Sequence, residues 1–529
     1  MDARALVERG WPCPSGEEMG RIDRDAIERR GLPARLLMEN AGRGVALAIC
    51  ERFPQAHRPL VVCGAGNNGG DGFVVARVLR EWDRSIVPRV LALGDPARRS
   101  PEALANLELL SSSAVQVHAD RKGAAIDTLL EDCDLVVDAV LGVGLSRPVE
   151  GRLSELLKAL AQARPLVALD LPSGMSSDTG LPLGVEIVPD LTVTLGLPKL
   201  GLALQPSRGE ILVVDIGLPA ASLAACPVRQ HLLTPQAAAA RLPARPAAGH
   251  KGSFGHVLVV AGSLGKTGAA LLTARGALCS GAGLVTLAVP QSLDTIFESA
   301  LLEAMTLPVE DRDCGHLDEA GLGGLRKAAS ERDAIVVGPG LGVRDGTVRL
   351  LERLLGGLRC PAVIDADGLN AFAGRPEALQ GPGPRVLTPH PGEAGRLLGR
   401  STAEIQGDRA AAARELALRT GSIVALKGAR TVIAAPEGEL IVNPTGGPGL
   451  ASGGTGDVLA GVVGALLAQG LSAYEAAALG VYLHGLAGDL GPEQGGLAGA
   501  LADRLPRALE QLRASGRDPA EPRALHRFP

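Results

Sequence analysis

The chain has 529 residues, 46% hydrophobic and 21% charged, with 70 Gly and 37 Pro. Roughly 100–200 residues per domain allows three or four domains, or two large α/β ones, and this composition excludes disorder, collagen and a small disulfide scaffold. The net charge of −5 excludes a basic surface spread over the whole molecule, so no nucleic-acid partner is expected.

The N-terminal stretch MDARALVERG lacks an apolar core, so no signal peptide is expected. Eight cysteines are scattered singly, without a CxxC pair, and several lie in apolar runs, as Cys63 does in LVVCG. Both features point to the cytoplasm. The uncharged stretches 276–293 and 458–474 are broken by Gly281, Gly283 and Pro290, and by Gln469 and Gly470. No membrane span is predicted.

In the first half, strands are predicted at 59–63, 86–93, 133–139, 165–170, 190–195 and 211–215, with helices at 72–82, 101–111, 123–131 and 151–162. Apolar strands alternating with crossover helices make a parallel sheet covered on both faces, the Rossmann-like αβα sandwich of an α/β fold. Ligands in such folds bind at the carboxyl ends of strands. The loop GAGNNGGDG (64–72) stands at one such end, where Asn67, Asn68 and Asp71 offer amide and carboxylate groups. It departs from GxGxxG, so a plain dinucleotide dehydrogenase fits poorly. Strand 133–139 brings Asp138 and then LGVGLSRP (141–148), and strand 165–170 brings Asp170 and then PSG (172–174). Asn68, Asp138 and Ser173 present hard oxygens suited to an alkali or alkaline-earth cation rather than zinc.

Together, GNNGGDG, VVDAVLGVG, LDLPSG and TVTLGLPKLGL (192–202) resemble the epimerase domain of the NAD(P)H-hydrate repair enzymes, over about residues 1–227. The resemblance implies that Asn67, Asn68, Gly69, Gly70, Asp71, Gly142, Val143, Gly144, Leu145, Ser146, Arg147, Pro148 and Asp170 line a hydrated-dinucleotide site. It also implies that Asn68, Asp138 and Ser173 hold a potassium ion (K+). Asp71 and Asp170 are the candidate acid–base groups; Lys199 lies in the matching PKLG stretch without an assigned role.

Residues 218–249 are rich in Pro and Ala, with one short helix expected at 232–241. The domain boundary is placed near 228, giving domains 1–227 and 228–529. The second half repeats the α/β pattern with strands at 256–261, 283–289, 333–337, 361–365, 385–388 and 422–426. Two short strands follow at about 430–434 and 439–443, then a Gly-rich loop and three Ala/Leu-rich helices. GSLGKTG (262–268) is too short between Gly262 and Lys266 for a P-loop. GGTGD (453–457) instead opens a long helix. The N–H groups of Gly454, Thr455 and Gly456 there form an anion hole, and Asp457 is placed to take a proton from an attacking hydroxyl.

GGTGD at a helix start resembles the ribokinase-like fold. With HKG, TGAA, GPGLG, TPHPGE and KGART, it resembles the nucleotide-dependent NAD(P)H-hydrate dehydratases over about residues 245–515. The resemblance implies that Ala269, Gly340, His390 and Asp457 contact the hydrated dinucleotide. Lys427, Gly428, Ala429, Arg430, Thr431 and Gly456 would hold the adenine nucleotide. Small-molecule partners are then NADHX, NADPHX and ADP or ATP, with Mg²⁺ accompanying the nucleotide. Fusion of the two domains resembles prokaryotic members and implies ADP. A homo-oligomer is expected, although no residue pattern specifies it. The competing reading is a ribokinase-like small-molecule kinase fused to a non-catalytic Rossmann-like binding module. A kinase accumulates a phosphorylated product, whereas a dehydratase releases inorganic phosphate.

Overall fold

The computed structural model describes residues 9–120, 126–206, 209–515 and 525–528. It divides into two compact units, one built on Trp11–Gln230 together with the terminal segment, the other on the residues from His231 onward. The terminal strand Leu525–Arg527 therefore lies in the first unit, not in the 228–529 domain where the sequence placed it.

The first unit holds an eight-stranded sheet. From one edge its order is Gln116–Asp120, Arg89–Leu93, Pro59–Cys63, Leu135–Ala139, Leu166–Leu169, Leu191–Leu195, Glu210–Val214 and Leu525–Arg527. All neighbours are parallel except the last pair, in which Leu525–Arg527 runs antiparallel to Glu210–Val214. Burial on both faces follows from the alternation of side chains: Val61 and Cys63 enter one apolar cluster, Leu60 and Val62 the other. The chain order reverses between Pro59–Cys63 and Leu135–Ala139, which opens a crevice at their carboxyl ends.

The segment after Pro59–Cys63 differs from the loop expected there. Helix Asn67–Trp82 begins inside it, so Asn67, Asn68, Gly69, Gly70 and Asp71 form the first turns of the helix. The glycines explain this. A Cβ at Gly69 would lie 2.0 Å from the Gly64 carbonyl oxygen, and one at Gly72 2.7 Å from Cys63 Sγ. Only a helix start without side chains fits so close to the strand end.

In the second unit the order is Met305–Val309, Leu284–Pro290, His256–Val260, Ala334–Val337, Ala362–Ile364, Arg385–Leu387, Ile423–Leu426, Val432–Ala434 and Leu440–Val442. The strands from Met305–Val309 to Ile423–Leu426 are parallel, and the last two form an antiparallel hairpin. Here the order reverses between His256–Val260 and Ala334–Val337. Helices Thr455–Ala468, Ala473–Asp489 and Ala498–Ser515 share one apolar cluster with the sheet. The segment expected as one helix at 232–241 is split: Gln230–Leu232 is a strand and Pro235–Ala240 the helix, started by the Thr234 cap and Pro235. No helix of the described residues is long and apolar enough to cross a membrane.

Candidate functional site

Each unit carries a cluster of ionisable groups beyond the carboxyl ends of its parallel strands. In the first, a cleft of about 1250 Å³ is lined by Asn67, Asn68, Asp71, Asp170 and the loop from Gly142 to Pro148. The two sides touch: a Cβ at Gly142 would lie 3.4 Å from Asn68 Oδ1 and 3.5 Å from Asp170 Oδ2. Gly69 and Gly70 do not line this cleft. They are buried in helix packing, where a Cβ at Gly70 would meet Met38 at 2.6 Å, which corrects the expectation that they face the ligand. Arg147 and Arg152 are exposed residues of the lining.

Asp170 is held in an unusual conformation, with φ at +68° in the left-handed region that non-glycine residues avoid. Its Oδ1 accepts from Leu195 N (3.2 Å), Thr194 Oγ1 (3.3 Å) and Lys199 Nζ, the last as a buried ion pair. Lys199 Nζ also donates to Leu195 O at 2.9 Å. The lysine in PKLG thus fixes Asp170. Asp71 and Asp23 stand beside this pair. Burial, and then the Asp170 charge, push Asp71 well above the usual carboxylate range.

Asp138 is fully buried and accepts from Ser173 Oγ (2.6 Å), Ser173 N (2.8 Å) and Val140 N (3.2 Å). Burial raises its carboxyl, and no cationic side chain offsets it. Asn68 Nδ2 is buried without a partner. Among the described residues, no three His, Cys, Asp or Glu side chains form a metal cluster, so a cation here would rest on mixed oxygen donors.

In the second unit, the start of helix Thr267–Cys279 with the loop 263–266 before it closes on the loop 338–342 at the reversal. Ser263 Oγ donates to Gly340 O (2.7 Å), Gly262 N to Pro339 O (2.8 Å), and a Cβ at Gly340 would lie 3.0 Å from that of Ala269. Lys266 Nζ pairs with Asp367 Oδ2 at 2.8 Å. Helix Thr455–Ala468 starts at Gly454, whose φ of +92° aims the chain into the helix. Thr455 pins the turn by donating Oγ1 to Leu450 O (2.9 Å) and Ser452 O (3.0 Å). Buried His484, lowered to about 4 by burial, is neutral and donates Nε2 to Thr455 O at 2.8 Å.

Around this helix start, Lys427 Nζ lies 2.8 Å from Asp365 Oδ1 and 3.9 Å from Glu393 Oε2. A Cβ at Gly456 would sit 3.3 Å from Lys427 Nζ and 4.0 Å from Asp365 Oδ2. Burial works against the Lys427 charge, but Asp365, Glu393 and Asp457 outweigh it and raise the ammonium. Asp457 is pushed up to about 7, first by burial and then by Asp365. The loop after Lys427 is clamped by Arg409, which donates to Ala429 O and Arg430 O; Arg430 holds a φ of +56°.

His390 has a structural task as the N-cap of helix Pro391–Leu398. Its Nδ1 accepts from Gly392 N (3.0 Å) and Glu393 N (3.3 Å), and Glu393 Oε2 accepts from His390 N (2.8 Å). Burial lowers its imidazole, so it is neutral with the proton on Nε2, beside Glu393 Oε1 at 3.4 Å.

Comparison with known proteins gives two family models along the chain: YjeF-related protein N-terminus over residues 34–201, and NAD(P)H-hydrate dehydratase over 257–511. The bifunctional NAD(P)H-hydrate repair enzyme of Moorella thermoacetica is 43% identical over 94% of this chain and 96% of its own length. The chain belongs to this family. The repair enzyme of Escherichia coli (strain K12) is 35% identical over 94% of this chain and 93% of its own. Among solved structures, an ADP/ATP-dependent NAD(P)H-hydrate dehydratase from Bacillus subtilis, co-crystallised with ATP and Mg²⁺, is 35% identical. It covers 53% of this chain and 98% of its own, with a TM-score of 0.46.

Sequence reasoning within this family missed Asp23, Asp365 and Glu393. Glu393 closes the quoted TPHPGE without an assigned role, and Asp365 lies just past strand Ala362–Ile364, in a stretch outside the motifs that carried the resemblance. Asp23 lies in the amphipathic helix Gly16–Arg24 among surface charges, and no local pattern separates it from them.

Proposed function

We propose that the first unit interconverts the C6 epimers of hydrated NAD(P)H, and that the second dehydrates the S epimer with a nucleotide. The carrying observation is the pair of ionisable clusters, one in each unit, at the carboxyl ends of parallel strands. The hydrated ring carries a hydroxyl at C6 beside the ring nitrogen N1. Hydroxide leaves poorly, which sets the task of the second unit.

There, Asp457 takes the proton of the C6 hydroxyl as its oxygen attacks the terminal phosphorus of the nucleotide, whose bond to the bridging oxygen breaks with its electron pair on the leaving nucleotide. The N–H groups of Gly454, Thr455 and Gly456 receive the transferring phosphoryl group. The C6–O bond to the new phosphate then breaks with its electron pair on phosphate as N1 forms a double bond to C6; the C5 proton passes to the departing phosphate, its electron pair forms C5=C6 and the π pair returns to N1, restoring the dihydronicotinamide. Ala269, Gly340 and His390 bound the dinucleotide in this reading. Lys427, Gly428, Ala429, Arg430 and Thr431 hold the nucleotide. Asp365, Glu393 and Asp457 outnumber Lys427, so a polyphosphate needs its own cation, and Asp365 Oδ2, free of the lysine, suits the water shell of Mg²⁺. When bound, that ion neutralises phosphate charge.

In the first unit, the buried Asp138 carboxyl, the Ser173 hydroxyl and the carbonyl oxygen of the Asn68 side chain are hard oxygen donors that fit a monovalent cation such as K+, whereas the unpartnered Asn68 Nδ2 is a donor and would face an acceptor on the substrate. The cation would supply a fixed positive charge at the cleft wall. Residues Gly142, Val143, Gly144, Leu145, Ser146, Arg147 and Pro148 would wrap the dinucleotide.

We assign ADP as the donor. If its β-phosphate reaches the anion hole, the γ-phosphate of ATP occupies the place of the C6 hydroxyl. The test is a mixed-epimer NADHX assay with ADP or ATP, following reduced-nicotinamide absorbance, AMP and inorganic phosphate. Complete recovery, faster with ADP and with AMP formed, is expected. Accumulation of a phosphorylated product without recovery refutes the dehydratase, recovery of only half the mixture refutes the epimerase, and faster recovery with ATP overturns the donor alone.

A further inference from the structure

Asp23 occupies the epimerase cleft from a helix that no motif reading assigned. Helix Gly16–Arg24 is set by its Ser15 capping box and buries Met19 and Ile22. Asp23 lines the same cleft as Asp71, Asp170 and Lys199, although its neighbours in sequence, Arg21 and Arg24, are exposed. Its Oδ1 is buried and has no hydrogen-bond partner.

The charges converging here do not balance. Asp23, Asp71 and Asp170 enter from three separate elements, and the cleft offers Lys199 as their buried cation. Lys199 is committed to Asp170 and to Leu195 O. That leaves Asp23 and Asp71 as two carboxyls whose protons are free to move. Like charges so placed do not both ionise easily, and environments that push two carboxyls apart assign one as acid and one as base. Asp23 is raised to about 6, by burial and Asp170 against the pull of Lys199 and Arg24, whereas Asp71 rises well above its usual range.

We propose that Asp23 is a catalytic acid–base residue of the epimerase, working with Asp71 on the C6 oxygen of the hydrated nicotinamide. This rests on the epimerase reading of the first unit. In one direction Asp71 gives its proton to the C6 hydroxyl; the C6–O bond breaks with its electrons on oxygen, and water departs as the N1 lone pair forms the N1=C6 bond. Water then adds to the opposite face of C6, the π pair returns to N1, and the Asp23 carboxylate takes the released proton. The reverse direction exchanges the two roles. Between the steps the ring is cationic, and the acidic cleft stabilises it.

The test uses the full-length chain and purified R-NADHX or S-NADHX, with epimers separated by chromatography in the absence of nucleotide. Asp23→Asn should slow interconversion by about two to four orders of magnitude, the range of a lost acid–base group, while S-NADHX dehydration with ADP stays at the wild-type rate. The wild-type pH profile should lose activity below about pH 6, and the residual Asp23→Asn profile should lack that limb. Asp23→Glu should recover part of the rate and the limb. Wild-type interconversion by Asp23→Asn, or an unchanged acidic limb, overturns the assignment. A wild-type chain that does not interconvert the epimers overturns the epimerase reading instead.

Discussion

At Asp457, the proposed base of dehydration, the demands of that role and of stability run in opposite directions, because burial and Asp365 push its carboxyl up to about 7. A base must be ionised, so the dehydration rate should fall as pH drops below about 7. Asp457→Asn should keep nucleotide binding and lose about two to four orders of magnitude in dehydration, read as single-turnover phosphate release. For stability the sign is reversed. A carboxyl whose folded value exceeds its unfolded one favours the folded state at low pH, and this is lost as pH rises from about 4 through 7. The Asn variant should therefore melt above the wild type at pH 8, with the difference shrinking towards pH 4. An unchanged Tm difference across that range counts against the burial of charge at this site. GGTGD stood out in the sequence as a candidate site because Gly, Thr and Asp gather at a helix start that presents free N–H groups. Asp23 did not stand out, because the carboxyls and lysine around it come from distant strand ends and helices that meet it only in space.

Helices Thr267–Cys279 and Thr455–Ala468 carry Ala269 and the proposed anion hole, and at Gly276 and Gly461 their backbones meet with no side chain between them. A Cβ at Gly461 would stand 1.9 Å from Thr273 O, and one at Gly276 2.4 Å from Val458 O. These are backbone atoms and cannot give way as a flexible side chain would. Gly461→Ala should cost at least the 1–3 kcal/mol typical of overpacking. It should lower the Tm of the second unit and slow dehydration, leaving epimerisation intact; calorimetry with both assays checks this, and a neutral outcome contradicts the close crossing. The buried parallel strands were readable as continuous apolar runs such as 59–63 and 256–261. Edge strands Gln116–Asp120 and Met305–Val309 were among those that escaped, because each is exposed in part and carries residues foreign to such a run, His118 and Pro308 among them. The helix start at Asn67 was also hidden, since propensity assigns NNGGDG to a loop and only contact with the sheet makes its glycines helical.

Across the whole molecule, the two clusters belong to separately compact units, so damage to one should spare the other. Asp138→Ala removes the acceptor of both Ser173 groups and of Val140 N. Leaving such buried donors unpaired costs about 1–3 kcal/mol each. Epimerisation should be lost, while dehydration of purified S-NADHX proceeds at the wild-type rate. An equal fall in both activities overturns the separation of the sites. The boundary region stood out by its Pro and Ala content, but the return of Leu525–Arg527 to the first sheet did not, because three residues carry too little pattern to declare a partner. That strand pairs with Leu212, Val213 and Val214. It leaves the ribosome only after every residue of the second unit, so the first sheet keeps an open edge throughout synthesis of its neighbour. A chain cut short anywhere in the second unit would present that bare edge, a template for association that marks unfinished molecules apart from finished ones.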